Sequence, residues 1–100
     1  MKLEFTDLAL EDLASIEKYT RDNWGEQQAD AYMNLLEQAI SNILDNPEIG
    51  PERSDIAENC RYLPEERRLI FYRIDDDKIT VLAIPHGSMD IENYLVDLDR

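Results

Sequence analysis

One hundred residues with 43% hydrophobic content, four prolines and three glycines make one folded domain over residues 1–100 and exclude both a second core and a disordered chain. Twenty-three Asp and Glu against ten Lys and Arg give a net charge of −13, a field that repels phosphate backbones and disfavours direct nucleic-acid binding by the chain alone. No apolar run approaches the ~18 residues of a membrane span, and MKLEFTDLAL carries acids where a secretory signal has its apolar core. Cys60 is the single cysteine, so no internal disulfide forms, and a cytoplasmic protein is expected.

Residues 2–6, KLEFT, alternate polar and apolar as a short strand does. Thr6 or Asp7 can then cap a helix by accepting a backbone N–H. Ala9, Leu13, Ile16 and Tyr19/Thr20 fall at helical spacing up to Trp24-Gly25, where glycine permits the left-handed geometry of a helix end. From Glu26 a second helix places Ala29, Tyr32, Met33, Leu36, Ile40, Ile43 and Leu44 on one stripe, and Asn46-Pro47 ends it. So short a join forces an antiparallel helix hairpin.

The polar run 47–59, PEIGPERSDIAEN, reads as a surface loop. Arg61 to Leu63 is expected as a short strand stopped by Pro64, and Leu69 to Ile74 and Ile79 to Ile84 as two stronger strands around the turn Asp75-Asp76-Asp77-Lys78. Both strong strands are apolar on both faces, which suits a central pair covered on one side by the helices. The tail, IENYLVDLDR, is ambiguous between strand and helix. The sum is an α+β fold, β-α-α-β-β-β, with the hairpin on one face of a small antiparallel sheet.

Charge is uneven along this order. Residues 1–59 hold four cations and fourteen acids, net −10, and residues 60–100 hold six cations and nine acids, net −3. Arg61, Arg67, Arg68 and Arg73 supply most of the difference. Strand alternation puts Arg67, Leu69, Phe71 and Arg73 on one face and Arg68, Ile70, Tyr72 and Ile74 on the other, unless a bulge re-aims an end. Each guanidinium either offers a planar fork to a partner's carboxylate or phosphate or pairs with Glu65, Glu66 and the loop acids, at under about 1 kcal/mol per surface pair. His86 is the one histidine. It serves as a general base if Asp90 orients it, or as a structural hydrogen-bonder. Trp24 either packs across the helix join or stands exposed as an interface anchor. Ser88 has no second histidine to complete a triad, and Asp75 to Asp77 is a solvated turn rather than a metal loop. No metal and no cofactor are expected.

The ordered set Ala9-x-x-Asp12-Leu13-x-x-Ile16-x-x-Tyr19, Trp24-Gly25-x-x-Gln28-Ala29-x-x-Tyr32, Asn46-Pro47-x-x-Gly50, Arg61, Arg68-Leu69-Ile70-Phe71-Tyr72-Arg73 and Ile84-Pro85-His86-Gly87-Ser88-Met89-Asp90 resembles the RelE/ParE superfamily of bacterial toxins, over about residues 3 to 91. The Trp-Gly join and the terminal His-x-x-Met-Asp resemble its ParE branch. That resemblance implies the toxin of a type II toxin–antitoxin system, of the kind that stabilises plasmids. Such a toxin is held in a hetero-oligomer by a cognate antitoxin encoded beside it, and its target is DNA gyrase. The alternatives are a ribosome-dependent mRNA endoribonuclease of the RelE kind using Arg61, Arg68 and His86, and a non-toxic module that only binds an antitoxin. The first reading needs no catalytic residue; its contact residues are Arg61, Arg67, Arg68, Arg73, His86, Asp90 and Trp24. An acidic surface further predicts a Lys- and Arg-rich antitoxin segment.

Overall fold

The computed structural model describes residues 1–87 and Tyr94; Ser88, Asp90 and the reading of the tail lie outside the described residues. Strand β1 (Lys2–Phe5) leads into helix α1 (Asp7–Trp24) and helix α2 (Glu26–Asp45), and strands β2 (Cys60–Glu65), β3 (Arg68–Asp75) and β4 (Lys78–Ala83) follow. The strands form one sheet in the order β1-β4-β3-β2. This corrects the expected all-antiparallel sheet: β1 joins β4 in parallel, pairing Leu3 with Ile79 and Phe5 with Val81. The cause is connectivity. The hairpin returns the chain to the end of the sheet where β1 began, so the far strand β4 meets β1 running in the same direction.

Thr6 locks this edge. Its hydroxyl oxygen accepts from the Ala9 N–H at 3.0 Å, capping α1, while the same hydroxyl donates to the Leu82 carbonyl at 2.7 Å. Gly25 alone joins the helices, at φ 93°, and its N–H donates to the Arg21 carbonyl at 3.0 Å.

The main core lies between the hairpin and the sheet, with Ile16, Leu36, Ile40 and Ile43 packed on Ile70, Tyr72, Ile79, Val81 and Ile84. A smaller cluster of Ala57, Cys60, Phe71, Leu82 and Ala83 covers the other face. One irregularity divides them. Phe71 pairs with Ala83 but Tyr72 pairs with Val81, so Leu82 is an extra residue, a bulge in β4. Leu82 and Ala83 both join the smaller cluster, and Ile84 returns to the helix side. Without that bulge, strict alternation would turn Ile84 and His86 to the opposite face.

Strand β2 runs to Glu65 and does not stop at Pro64. It is an edge strand, where a missing N–H is tolerated. Its outer edge is covered by the 47–59 loop, with the Tyr62 N–H donating to the Pro51 carbonyl and the Arg53 N–H to the Cys60 carbonyl. Glu65 pairs with Arg68, which makes Glu66-Arg67 a two-residue turn, with Glu66 at φ 55°. Arg67 is thus at a hairpin tip and not in the strand.

Candidate functional site: an apolar groove bordered by Arg67 and Arg68

At one end of the molecule the hairpin parts from the sheet and leaves a groove of about 680 Å³. The helices supply Tyr19, Trp24, Ala31, Tyr32 and Leu35; the β2–β3 turn and the strand ends supply Glu66, Arg67, Arg68 and His86. Trp24 does not pack across the helix join. It is 70% exposed, Tyr19 is 62% and Leu35 is 45% exposed, and all three line this groove. Helical period explains the exposure: Ile16 and Thr20 take the buried positions of α1, so Tyr19 is rotated off the core stripe.

The sheet wall is built by the bulge. His86 forms an antiparallel bridge with Arg68 beyond the end of β4, and the Leu69 N–H donates to the Pro85 carbonyl at 3.0 Å. Paired residues share a face, so both side chains lie on the helix side. Arg68 also donates from Nη1 to the Ile84 carbonyl at 3.4 Å. Burial pushes the Tyr32 phenol above its ordinary value, an effect opposed by the charge and hydrogen bond of the nearby Arg68.

Behind this wall stands Asp12 of α1, whose Oδ2 accepts from the buried Ile84 N–H at 2.7 Å. The Tyr94 hydroxyl donates to the other oxygen of the same carboxylate. Burial first, and this hydrogen bond second, push the Tyr94 phenol well above its ordinary range. One carboxylate therefore fixes the strand end on which His86 depends.

A family model described as "ParE toxin of type II toxin-antitoxin system, parDE" matches residues 3–91. The chain belongs to the ParE toxin family. It is similar to Toxin ParE1 of Mycobacterium tuberculosis, 34% identical over 77 residues that cover 76% of this chain and 79% of that protein, and the same match is found in two strains. It is also similar to Toxin ParE1 of Caulobacter vibrioides, 26% identical over 84 residues covering 84% and 86% of the two chains. A solved structure titled "Chromosomal ParDE TA system from P. aeruginosa" shares the fold, with TM-score 0.74 and 20% identity over 86% of this chain and 95% of that one.

On this fold the four arginines expected as contact residues have separate places. Arg67 and Arg68 line the groove, together with His86 and Trp24. Arg61 pairs across β2 and β3 with Tyr72, on the helix side but four positions from Arg68, ~13 Å along the strand. Its Nη1 donates to the Gly50 carbonyl at 2.8 Å and its Nη2 to Glu52 at 3.1 Å. Arg73 lies opposite Cys60, on the other face, and donates to Asp75 at 2.9 Å. Asp90 lies outside the described residues. Among the described residues, Lys18, Arg21, Arg53, Arg61, Arg73 and Lys78 each pair with a carboxylate, whereas Arg67 and Arg68 do not. Lys2, on the far edge strand, is likewise without such a pair among the described residues. Tyr19, Tyr32 and Leu35 were not among the expected contact residues. Tyr19 carried a signal, since it competes with Thr20 for one position of the helical period.

Proposed function

We propose that this ParE-family chain is the toxin of a type II pair, works in the cytoplasm, is neutralised by an antitoxin encoded beside it, and acts on DNA gyrase. One observation carries the reading. Arg67 and Arg68, which pair with no carboxylate among the described residues, lie in the same groove as three exposed large apolar side chains, the composition of a protein-contact centre. A target or antitoxin made of protein fits such a surface, and the net charge of −13 disfavours a nucleic acid as the direct ligand. Purified protein is expected to inhibit gyrase supercoiling and to trap cleaved DNA, with both effects relieved by the product of the adjacent reading frame. No inhibition at large molar excess defeats the gyrase target.

Cutting of mRNA has one observation behind it, the bridged pair of Arg68 and His86. Arg61, the third residue that reading requires, stands at a distance with its guanidinium engaged by the 47–52 segment. Primer extension on translated transcripts separates the two readings, because only the nuclease leaves cuts.

A further inference from the structure

Strand β4 can pair with β3 in two registers, and only one of them builds the groove wall. Continued without a bulge from the pair of Tyr72 and Val81, the ladder would set Leu82 opposite Phe71, Ala83 opposite Ile70, Ile84 opposite Leu69 and Pro85 opposite Arg68. From Phe71 to Leu69 apolar residues still meet apolar residues, so burial alone separates this register poorly from the observed one. The observed register inserts Leu82 as an extra residue, pairs Phe71 with Ala83 and brings His86 opposite Arg68.

A bulge interrupts the ladder, and contacts outside the ladder must hold it in place. Asp12 and Tyr94 supply them. Two residues before His86, the Ile84 N–H points out of the pairing with β3 and donates to Asp12 Oδ2 at 2.7 Å. In the regular register the strand end is rolled over by half a turn. That would aim the same N–H toward β3 and take the Ile84 side chain out of the helix-side core. Tyr94 bears on both the carboxylate and the bulge. Its hydroxyl donates to the other Asp12 oxygen, and it packs against the cluster that contains Leu82 and Ala83.

We infer that Asp12 and Tyr94 are positioning residues that select the bulged register of β4, and that without them the strand end re-registers and withdraws His86 from Arg68 and the groove. This role is independent of what the chain acts on, because the register is read on the chain alone.

His86 is the only histidine, so its imidazole signals in NMR spectra report on the strand end directly. In the bulged register the Arg68 and His86 Hα protons lie at short range, because the pair stands between two bonds, from the Leu69 N–H to Pro85 and from the Gly87 N–H to Arg67. The unaltered chain should show this contact and one dominant set of His86 signals. Asp12→Ala should raise a second set by about tenfold or more, to a visible fraction, in which contacts of the Ile84 methyls with Leu69 replace the Arg68–His86 contact. Tyr94→Phe should shift the ratio the same way by about threefold, and serves if Asp12→Ala does not fold. Asp12→Asn keeps an acceptor for the Ile84 N–H and should hold the bulged register.

Deletion of Leu82 tests the cause. It removes the extra residue, so regular pairing would by itself set Ala83 opposite Phe71 and His86 opposite Arg68. In that background Asp12→Ala should no longer move the His86 signals, which a general loss of stability would not achieve. If circular dichroism shows the deletion variant unfolded, the contrast of Asp12→Ala with Asp12→Asn decides. Unchanged His86 signals in Asp12→Ala or Tyr94→Phe overturn the proposal. So does a second set equally large in Asp12→Asn, and so does one that Asp12→Ala still raises after Leu82 is deleted.

Discussion

Arg61 and Arg68 project from the same face of the same sheet, yet they have different surroundings. Around Arg61 the 47–59 loop folds over the edge of β2 and offers two carbonyls and Glu52. Nearby, the Tyr72 hydroxyl donates to the Pro47 carbonyl at 2.6 Å and accepts from the Gly50 N–H. Around Arg68 the helices part, and what faces it is a phenol, a carbonyl and open groove. The loop turns one guanidinium into an internal strut. Its absence at the other end leaves the second lining the groove. Position on a strand therefore says little about a cation's role; the backbone brought over it decides.

Substitutions should separate the closed end from the open end. The largest effect is expected at Gly50, where an added Cβ would lie 2.2 Å from the Tyr62 carbonyl oxygen. Gly50→Ala should cost about 3 kcal/mol or more by urea unfolding, since backbone cannot yield as a side-chain tip can. Arg61→Ala leaves the Gly50 carbonyl without its charged donor and should cost about 2 kcal/mol. A loss under half that would mean the loop is held by Tyr72 and its backbone bonds to β2 without help from Arg61.

At the open end Asp12→Ala strands the Ile84 N–H, at about 1–2 kcal/mol. It should also weaken partner binding, because the strand end carrying His86 is released. A destabilised variant that binds normally would separate Asp12 from the groove. Above about pH 10 stability should decline, because the unfolded chain gives up phenolic protons there while the folded chain keeps those of Tyr32, Tyr72 and Tyr94 to higher pH. The unfolded state then binds fewer protons, so the slope of stability with pH is negative. Tyr94→Phe should make that decline shallower in pH-dependent unfolding. The smallest change in stability is expected for Arg67→Ala, within about 0.5 kcal/mol at its exposed turn, even as binding falls.

Local chemistry explains which parts of this molecule could be read from its sequence. The Thr6 cap, the Gly25 join and both helix stripes follow from interactions within a few residues, and the helix limits agree with expectation. Three features were hidden because they depend on distant partners. The parallel seating of β1 needs β4, some 76 residues away. The bulge at Leu82 is a matter of register between two strands that each look regular alone. The partners of Arg61 come from a loop with no periodic pattern. The groove was half visible, since Trp24, Arg67, Arg68 and His86 stood out by type, while Tyr19 and Tyr32 resembled ordinary core residues and Leu35 fell off the apolar stripe.

The parallel seam between the first strand and the last has a consequence for how the molecule comes into being. Lys2–Phe5 is synthesised ahead of the other elements but has no strand to pair with until Lys78–Ala83 has been made, and closing so long a loop is slow and entropically costly. A nascent or truncated chain ending before that strand lacks the platform that holds Arg68 and His86 under the helices. Any activity that depends on that platform waits until Lys78–Ala83 has been made and has paired.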